Sequence, residues 1–266
     1  MTIPIYQVDA FADKPFTGNP AGVCILERPA TDAWMQSVAM EMNLSETAFV
    51  MRRADGDFDL RWFTPAVEVS LCGHATLATS HVLYESGFLQ PSEIARYHTK
   101  SGLLQARFVD GLIELDFPAS DMETCDAPEG LSEALGLESK LWRKRPTRPS
   151  YLIEVASEAI VRNLTPNFAA LRLLGIRSVM VTARAETGEF DFISRFFAPG
   201  VGVNEDPVTG SAHCTLAPYW GAKLGKTTLS AYQASTRGGS LLCTLEGDRV
   251  KLAGKALTIL RGELFV

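Results

Sequence analysis

Two carboxylates, an imidazole and two glycine turns hold the residue types that proton transfer on a small molecule requires. Glu46 stands in Asn43-Leu44-Ser45-Glu46-Thr47-Ala48-Phe49-Val50, where a predicted helix gives way to an apolar strand. A carboxylate entering a buried strand is expected to have a raised pKa, which suits a general acid or base near neutral pH. A solvated glutamate at a strand edge has the same local sequence. His74 follows Gly73 in Cys72-Gly73-His74-Ala75-Thr76 and can bind substrate, shuttle a proton or simply pack. Asp206 opens Asp206-Pro207-Val208-Thr209-Gly210-Ser211-Ala212-His213, where it reads as an acid/base group or as an Asx turn. Glu205 beside it has the same turn reading. Asn19, between Gly18 and Pro20, marks a turn with or without function, and Ser211 reads as a helix cap or a substrate ligand.

Both glycine turns predict a helix N-terminus, at Gly73 and at Gly210. Unpaired N–H groups and the positive end of a helix dipole collect there, and they hold an anion without a charged side chain. Carboxylates and enolates are suitable guests, and charge that develops on proton removal would be stabilised. A two-thiol racemase would need a cysteine before each glycine. Cys72 precedes Gly73, but Thr209 precedes Gly210, so Cys72 reads as a small buried hydrophobe. No nucleotide-binding glycine loop, serine-hydrolase elbow or metal-binding helix motif is present. Neither a metal nor a cofactor is therefore expected.

The elements that position these groups occur twice. Arg61-Trp62-Phe63-Thr64-Pro65 returns 134 positions later as Arg195-Phe196-Phe197-Ala198-Pro199. Thr99-Lys100-Ser101-Gly102 matches Thr236-Arg237-Gly238-Gly239, 137 positions later. A repeat this long implies two copies of one domain rather than a solenoid. The expected class is α+β, with two similar lobes, each a mixed sheet curled around a central helix. The expected lobes are 1–118 with 255–266, and 119–254, with the active site in the cleft between them. Strand-like runs include 3–11, 21–26, 47–52, 58–63, 103–109, 111–117, 151–155, 158–163, 178–183, 190–197, 229–232, 240–245 and 249–252. Helices are expected at 31–42, 74–87, 131–137, 166–174 and 211–223, and 118–150 reads as a linker with its own helix.

Composition narrows the class further. The chain has 266 residues, 46% hydrophobic and 21% charged, with a net charge of −6. That balance argues against nucleic acid, which selects a basic face. No apolar run approaches the ~18 residues of a membrane helix, and the N-terminus lacks a signal-peptide pattern. Five cysteines without a C-x-x-C suit a reducing, cytoplasmic setting.

Four segments together resemble the PhzF-like family, named for the phenazine-biosynthesis isomerase. They are Val8-Asp9-Ala10-Phe11 with Phe16–Val23, Asn43–Val50, Arg61–Thr76 and Gly202–His213. The resemblance implies a diaminopimelate-epimerase-like fold and a homodimer. It also implies metal- and cofactor-independent isomerisation, which the best-known member performs on a dihydro-hydroxyanthranilate. By that resemblance Glu46 moves the proton, and Gly73, His74, Asp206 and Ser211 bind substrate and assist. The reading adopted is an isomerase acting on a small, carboxylated cyclic or unsaturated metabolite. Glu46, His74 and Asp206 are its acid/base groups, and Asn19, Gly73, Thr209, Gly210 and Ser211 its substrate ligands. An epimerase or racemase of a small acid, and a two-lobed binding protein without turnover, are the alternatives.

Overall fold

Asp110 and Gly111 both adopt the left-handed conformation, at φ 51° and 81°, which a two-residue type I′ turn requires. Val109 therefore pairs with Leu112, and strands Gly102–Val109 and Leu112–Pro118 run antiparallel. The computed structural model describes residues 2–138, 142–146 and 148–265. Its contacts divide the chain into one unit of 1–116 with 251–266 and another of 117–250.

In the first unit, Ala256–Phe265, Thr2–Ala10 and Asn19–Leu26 are successive antiparallel neighbours. Asn19–Leu26 then runs parallel to Glu46–Arg52, which is antiparallel to Phe58–Phe63. Phe58–Phe63 lies parallel to Ala95–Thr99 and carries the short strand Glu68–Val69 beside its C-terminal end. Each parallel pair needs a crossover, and the two helices supply them. Asp32–Met42 is capped by Thr31 and closed by a left-handed Asn43. It lays Met35, Val38 and Ala39 on Ile5, Cys24, Leu26, Phe49 and Phe63. Gly73–Glu85 is instead buried nearly all round, from His74 through Ser80 and at Val82 and Leu83. Its hydroxyls turn inward. Thr76, Thr79 and Ser80 donate to the carbonyls of Cys72, Ala75 and Thr76 at 2.6, 2.7 and 2.8 Å, which leaves an apolar surface for the sheet.

The second unit repeats this order. Glu123–Cys125, Trp142–Arg145 and Arg148–Glu154 are antiparallel neighbours. Ser178–Arg184 runs parallel to Arg148–Glu154 and antiparallel to Phe192–Ala198. Thr228–Gln233 is parallel to Phe192–Ala198, and Gly239–Glu246 is antiparallel to Thr228–Gln233. The buried helix of this copy, Gly210–Leu224, contains Pro218. Proline has no N–H for the carbonyl four residues back. The Ser120 N–H fills that vacancy on Cys214 O at 3.0 Å. Both units are thus mixed sheets with few helices, and the α+β class is observed.

Three local expectations fail for identifiable reasons. Residues 118–150 hold the expected helix, at Leu131–Leu135, but also strands Glu123–Cys125 and Trp142–Arg145, so this stretch is more than a linker and its helix. The basic run Trp-Arg-Lys-Arg disguised a strand that is paired on both sides. Residues 158–163 form a helix, not a strand. Ser157 accepts from Ile160 N at 3.3 Å, and Arg162 binds Glu158 one turn back at 2.7 Å, which outweighs a short β-branched run. Finally, the register makes Gln233, not Thr236, the counterpart of Thr99. Phe58 pairs with Tyr97 as Phe192 pairs with Ala231, and the second copy's turn is longer.

Gly18 tests the loop that leads into Asn19. It has φ 68°, and an added Cβ would lie 2.2 Å from Ala10 O. Gly18→Ala should destabilise by about 2 kcal/mol or more. Gly56→Ala, at φ 92° with open space around it, should cost only about 1 kcal/mol. Urea unfolding of the two variants measures the difference.

Candidate active site

Glu46 is the first residue of its strand and pairs with Ala21, two residues after Asn19 on the neighbouring strand. His74 is the second residue of the buried helix. The fold therefore brings the start of a strand, the start of its neighbour and a helix N-terminus to one place. Glu46 Oε2 lies 3.1 Å from His74 Nε2. Asn19 Nδ2 lies 3.2 Å from His74 Nδ1, and Ser45 Oγ donates to Asn19 Oδ1 at 3.1 Å. Cys72 Sγ is 3.5 Å from Nδ1 and 3.9 Å from Nε2. The side chains of His74 and Glu46 are 7% and 18% exposed, dry enough for their charges to govern one another.

Burial works against charge on both groups, but their mutual attraction prevails. Glu46 ends below its ordinary value, with burial opposed by the charge and hydrogen bond of His74. His74 ends well above its own, with burial opposed by its interactions with Cys72 and Glu46, of which Glu46 is the group ionised at neutral pH. The raised Glu46 pKa expected from the sequence does not occur, because a cation lies within contact distance. The carboxylate is thus ionised at neutral pH and ready to accept a proton. Its Oε2 is buried and faces His74 Nε2. Asn19 as placed donates to Nδ1, which suits a neutral ring. Turned over, the same amide accepts from Nδ1–H, because the Ser45 hydroxyl both donates and accepts. One side chain thereby serves both protonation states of His74. Cys72 is pushed up to about 11, first by burial and then by the Glu46 charge, and stays a thiol.

The strand register shows which part of this trio the second copy keeps. Thr47 pairs with Phe63 as Val179 pairs with Phe197, so Ser178 holds the place of Glu46. Helix starts at Gly73 and Gly210 put Thr209 at the place of Cys72 and Ser211 at that of His74. None of the three counterparts titrates near neutrality. The second unit presents a different cluster. Thr209 Oγ1 donates to Asp206 Oδ2 at 2.5 Å. The fully buried Gln233 binds Asp206 O at 2.7 Å through Nε2 and accepts from Thr209 N at 2.9 Å. Ser211 is exposed, while Thr209 and Gly210 are buried. Neither helix start has a side-chain cap, so both leave first-turn N–H groups for a guest. His213, fully buried, is lowered to about 4 by burial and is a neutral packing group.

Both copies share a bidentate clamp that sequence reading passed over. Arg61 donates from Nε and Nη2 to Glu68, both at 2.8 Å. Arg195 does the same to Glu205 at 2.7 and 2.9 Å. Each guanidinium also lies over the phenylalanine two residues on, Phe63 or Phe197, at 5.2 and 5.0 Å. Glu205 is thus held by Arg195 rather than by a turn, which fixes the segment that delivers Asp206. The repeated Arg-x-Phe was the available signal. Ser45 and Gln233 were also missed, and nothing in their local sequence marks them. The sites fall by copy: Glu46, His74, Asn19 and Gly73 lie in the first unit, and Asp206, Thr209, Gly210 and Ser211 in the second.

Comparison with known proteins adds independent evidence. The family model described as phenazine biosynthesis-like protein, PhzC-PhzF, matches residues 8–262. An uncharacterised isomerase of Halalkalibacterium halodurans is 51% identical over 267 residues, covering 100% of both chains. An uncharacterised isomerase of Pseudomonas aeruginosa is 52% identical, covering 99% of both. The crystal structure of a phenazine biosynthesis PhzF family protein from Enterococcus faecalis superposes with TM-score 0.94 at 41% identity, covering 100% of both chains. A hydroxyproline epimerase from Agrobacterium vitis shares the fold at TM-score 0.66 and 11% identity, over 99% of this chain and 92% of that one. Among the described residues, no helix is long and apolar enough to cross a membrane.

The ion pair makes a signed prediction. Glu46, depressed, contributes stability above its unfolded value of 4.5 and loses it as pH falls through its folded value. His74, raised, contributes below 6.5 and loses it as pH rises through its folded value. The stability gap between wild type and Glu46→Gln should therefore be widest between about pH 4.5 and 6.5 and shrink on both sides. Ring-nitrogen NMR should show His74 protonated above 6.5 in the wild type and titrating below 6.5 in Glu46→Gln. An unchanged His74 titration in the variant would contradict the pairing.

Proposed function

The chain belongs to the phenazine biosynthesis-like PhzC-PhzF family, and from that premise we propose that it is a metal- and cofactor-independent isomerase. Its substrate class is a small, carboxylated cyclic or unsaturated metabolite. Two of its close relatives are named isomerases. The observation that carries the reading is the ionised Glu46 carboxylate, whose buried Oε2 faces His74 Nε2 at 3.1 Å. Such a carboxylate accepts a proton from a carbon next to an electron-withdrawing group. The electrons left behind move toward a substrate oxygen, where uncapped helix N–H groups stabilise the charge. Protonated His74 holds Glu46 in place, and the proton returns to the substrate through the same carboxylate. Asp206, ordered by Thr209 and Gln233, with Gly210 and Ser211, binds substrate polar groups. A homodimer acting in the cytoplasm belongs to the same proposal, and a solution mass twice that of the chain would support the dimer.

A two-thiol racemase is disfavoured by chemistry on both copies. Thr209 stands where the second thiol would be, and Cys72 is pushed up to about 11. Cys72 should accordingly resist iodoacetamide in the folded protein at pH 7.5 and react on unfolding.

Glu46→Gln keeps the shape and removes the base. With an unsaturated ring carboxylate that the wild type converts, the variant's kcat should fall by about 10²–10⁴, with circular dichroism unchanged. Turnover near the wild-type rate would overturn the assignment. Asp206→Asn should raise KM more than it lowers kcat, because its assigned role is binding.

A further inference from the structure

Cys72 has no task in one-base chemistry, yet it stands in the middle of the site. One donor atom each from Glu46, Cys72 and His74 lies within 4.8 Å of the other two. A tetrahedral zinc ion, with Zn–N and Zn–O near 2.0–2.1 Å and Zn–S near 2.3 Å, sets its nitrogen about 3.3 Å from an oxygen ligand and about 3.6 Å from a sulfur ligand. Here His74 Nε2 is 3.1 Å from Glu46 Oε2 and 3.9 Å from Cys72 Sγ. Both edges match a metal tetrahedron to within about 0.4 Å. A second observation is independent of this spacing. Glu46 Oε2 is buried and already holds a cation, the His74 ring, against it, so a metal ion would replace one positive charge beside this oxygen with another. The ring is also positioned for a metal, since Asn19 lies 3.2 Å from Nδ1; turned over, its amide accepts from Nδ1–H and leaves Nε2 to the ion.

We propose that Glu46, Cys72 and His74 form a site for zinc(II), with three protein ligands and one open position, whose occupation switches off proton transfer. On binding, the Cys72 thiol and the His74 imidazolium each release a proton to water. The cluster changes from carboxylate, imidazolium and thiol to carboxylate, imidazole, thiolate and dication, so its net charge stays at zero. No uncompensated charge is buried, which is what makes a dication tolerable in a dry place. The positive helix end at Gly73 opposes the ion, and the two anionic ligands offset it. A sulfur, nitrogen and oxygen donor set selects zinc or cobalt over magnesium and calcium. The metal site itself does not depend on the isomerase reading; only its inhibitory effect does.

Competition with a chromophoric zinc indicator at pH 7.5 tests the site directly. One zinc per chain should bind, calcium and magnesium should not compete, and Cys72→Ser should weaken binding at least tenfold. His98→Ala, which disrupts the exposed Asp55, Asp57 and His98 group, should leave the affinity unchanged. The cobalt(II) form of the wild type should show a thiolate-to-cobalt band in the near ultraviolet, a readout that survives any folding defect in the variants. Absence of stoichiometric binding, a cobalt form without that band, or zinc lost in His98→Ala rather than Cys72→Ser would overturn the site. Full turnover with zinc bound would overturn the switch. Zinc bound through the trio in a protein with no isomerase activity would support the site and overturn the functional reading alone.

Discussion

A helix buried nearly all round must satisfy its polar groups along itself, at its ends or, as Ser80 does with the Tyr97 hydroxyl at 2.7 Å, against a buried polar partner. In Gly73–Glu85 the side-chain hydroxyls of Thr76, Thr79 and Ser80 bond back to the helix's own carbonyls. The sheet can then close on an apolar cylinder. The unpaired N–H groups of the first turn have no such internal solution, and no side chain caps them. Wherever that end emerges, a polar environment must be built. Glu46 and Asn19 converge on His74 there because the strands that carry them begin beside that helix end. The location of the chemistry is thus a consequence of burying the helix, and the same constraint operates at Gly210 in the second copy.

The duplication separates scaffold from chemistry. The Arg61–Glu68 clamp reappears as Arg195–Glu205 with nearly identical distances, and strand order and parallel crossovers recur. These features hold the turns before the helices. The titratable groups do not recur, since Ser178, Thr209 and Ser211 replace Glu46, Cys72 and His74. One copy therefore carries an ion pair, and the other a hydrogen-bonded Asp206–Thr209–Gln233 cluster suited to binding. Two equivalent bases would favour a symmetric two-base inversion. A single base favours a proton that leaves and returns through one carboxylate.

Much of this was legible in the chain, for physical reasons that differ by element. The Asp110-Gly111 hairpin and the Thr31-capped helix are local decisions, and local sequence records them. The Glu46 and His74 assignments came from motif resemblance, since a strand-edge glutamate and a packed histidine have the same local sequence. What escaped was set by distant partners. The downward shift of Glu46 depends on a histidine 28 positions away in sequence. Gln233 matters only because a parallel strand brings it beside Thr209 and Asp206. The 158–163 helix was misread because its cap and its Glu158–Arg162 pair outweighed β-branched composition.

The central claim is that one carboxylate moves one proton within one molecule. Conversion of an unsaturated ring carboxylate in deuterated water, followed by NMR and mass spectrometry, tests it most directly. The account predicts a constitutional isomer whose migrated hydrogen is carried at least in part from the substrate itself, because Glu46 is shielded from solvent. A product of unchanged constitution, with an inverted centre bearing deuterium from the solvent, would contradict it.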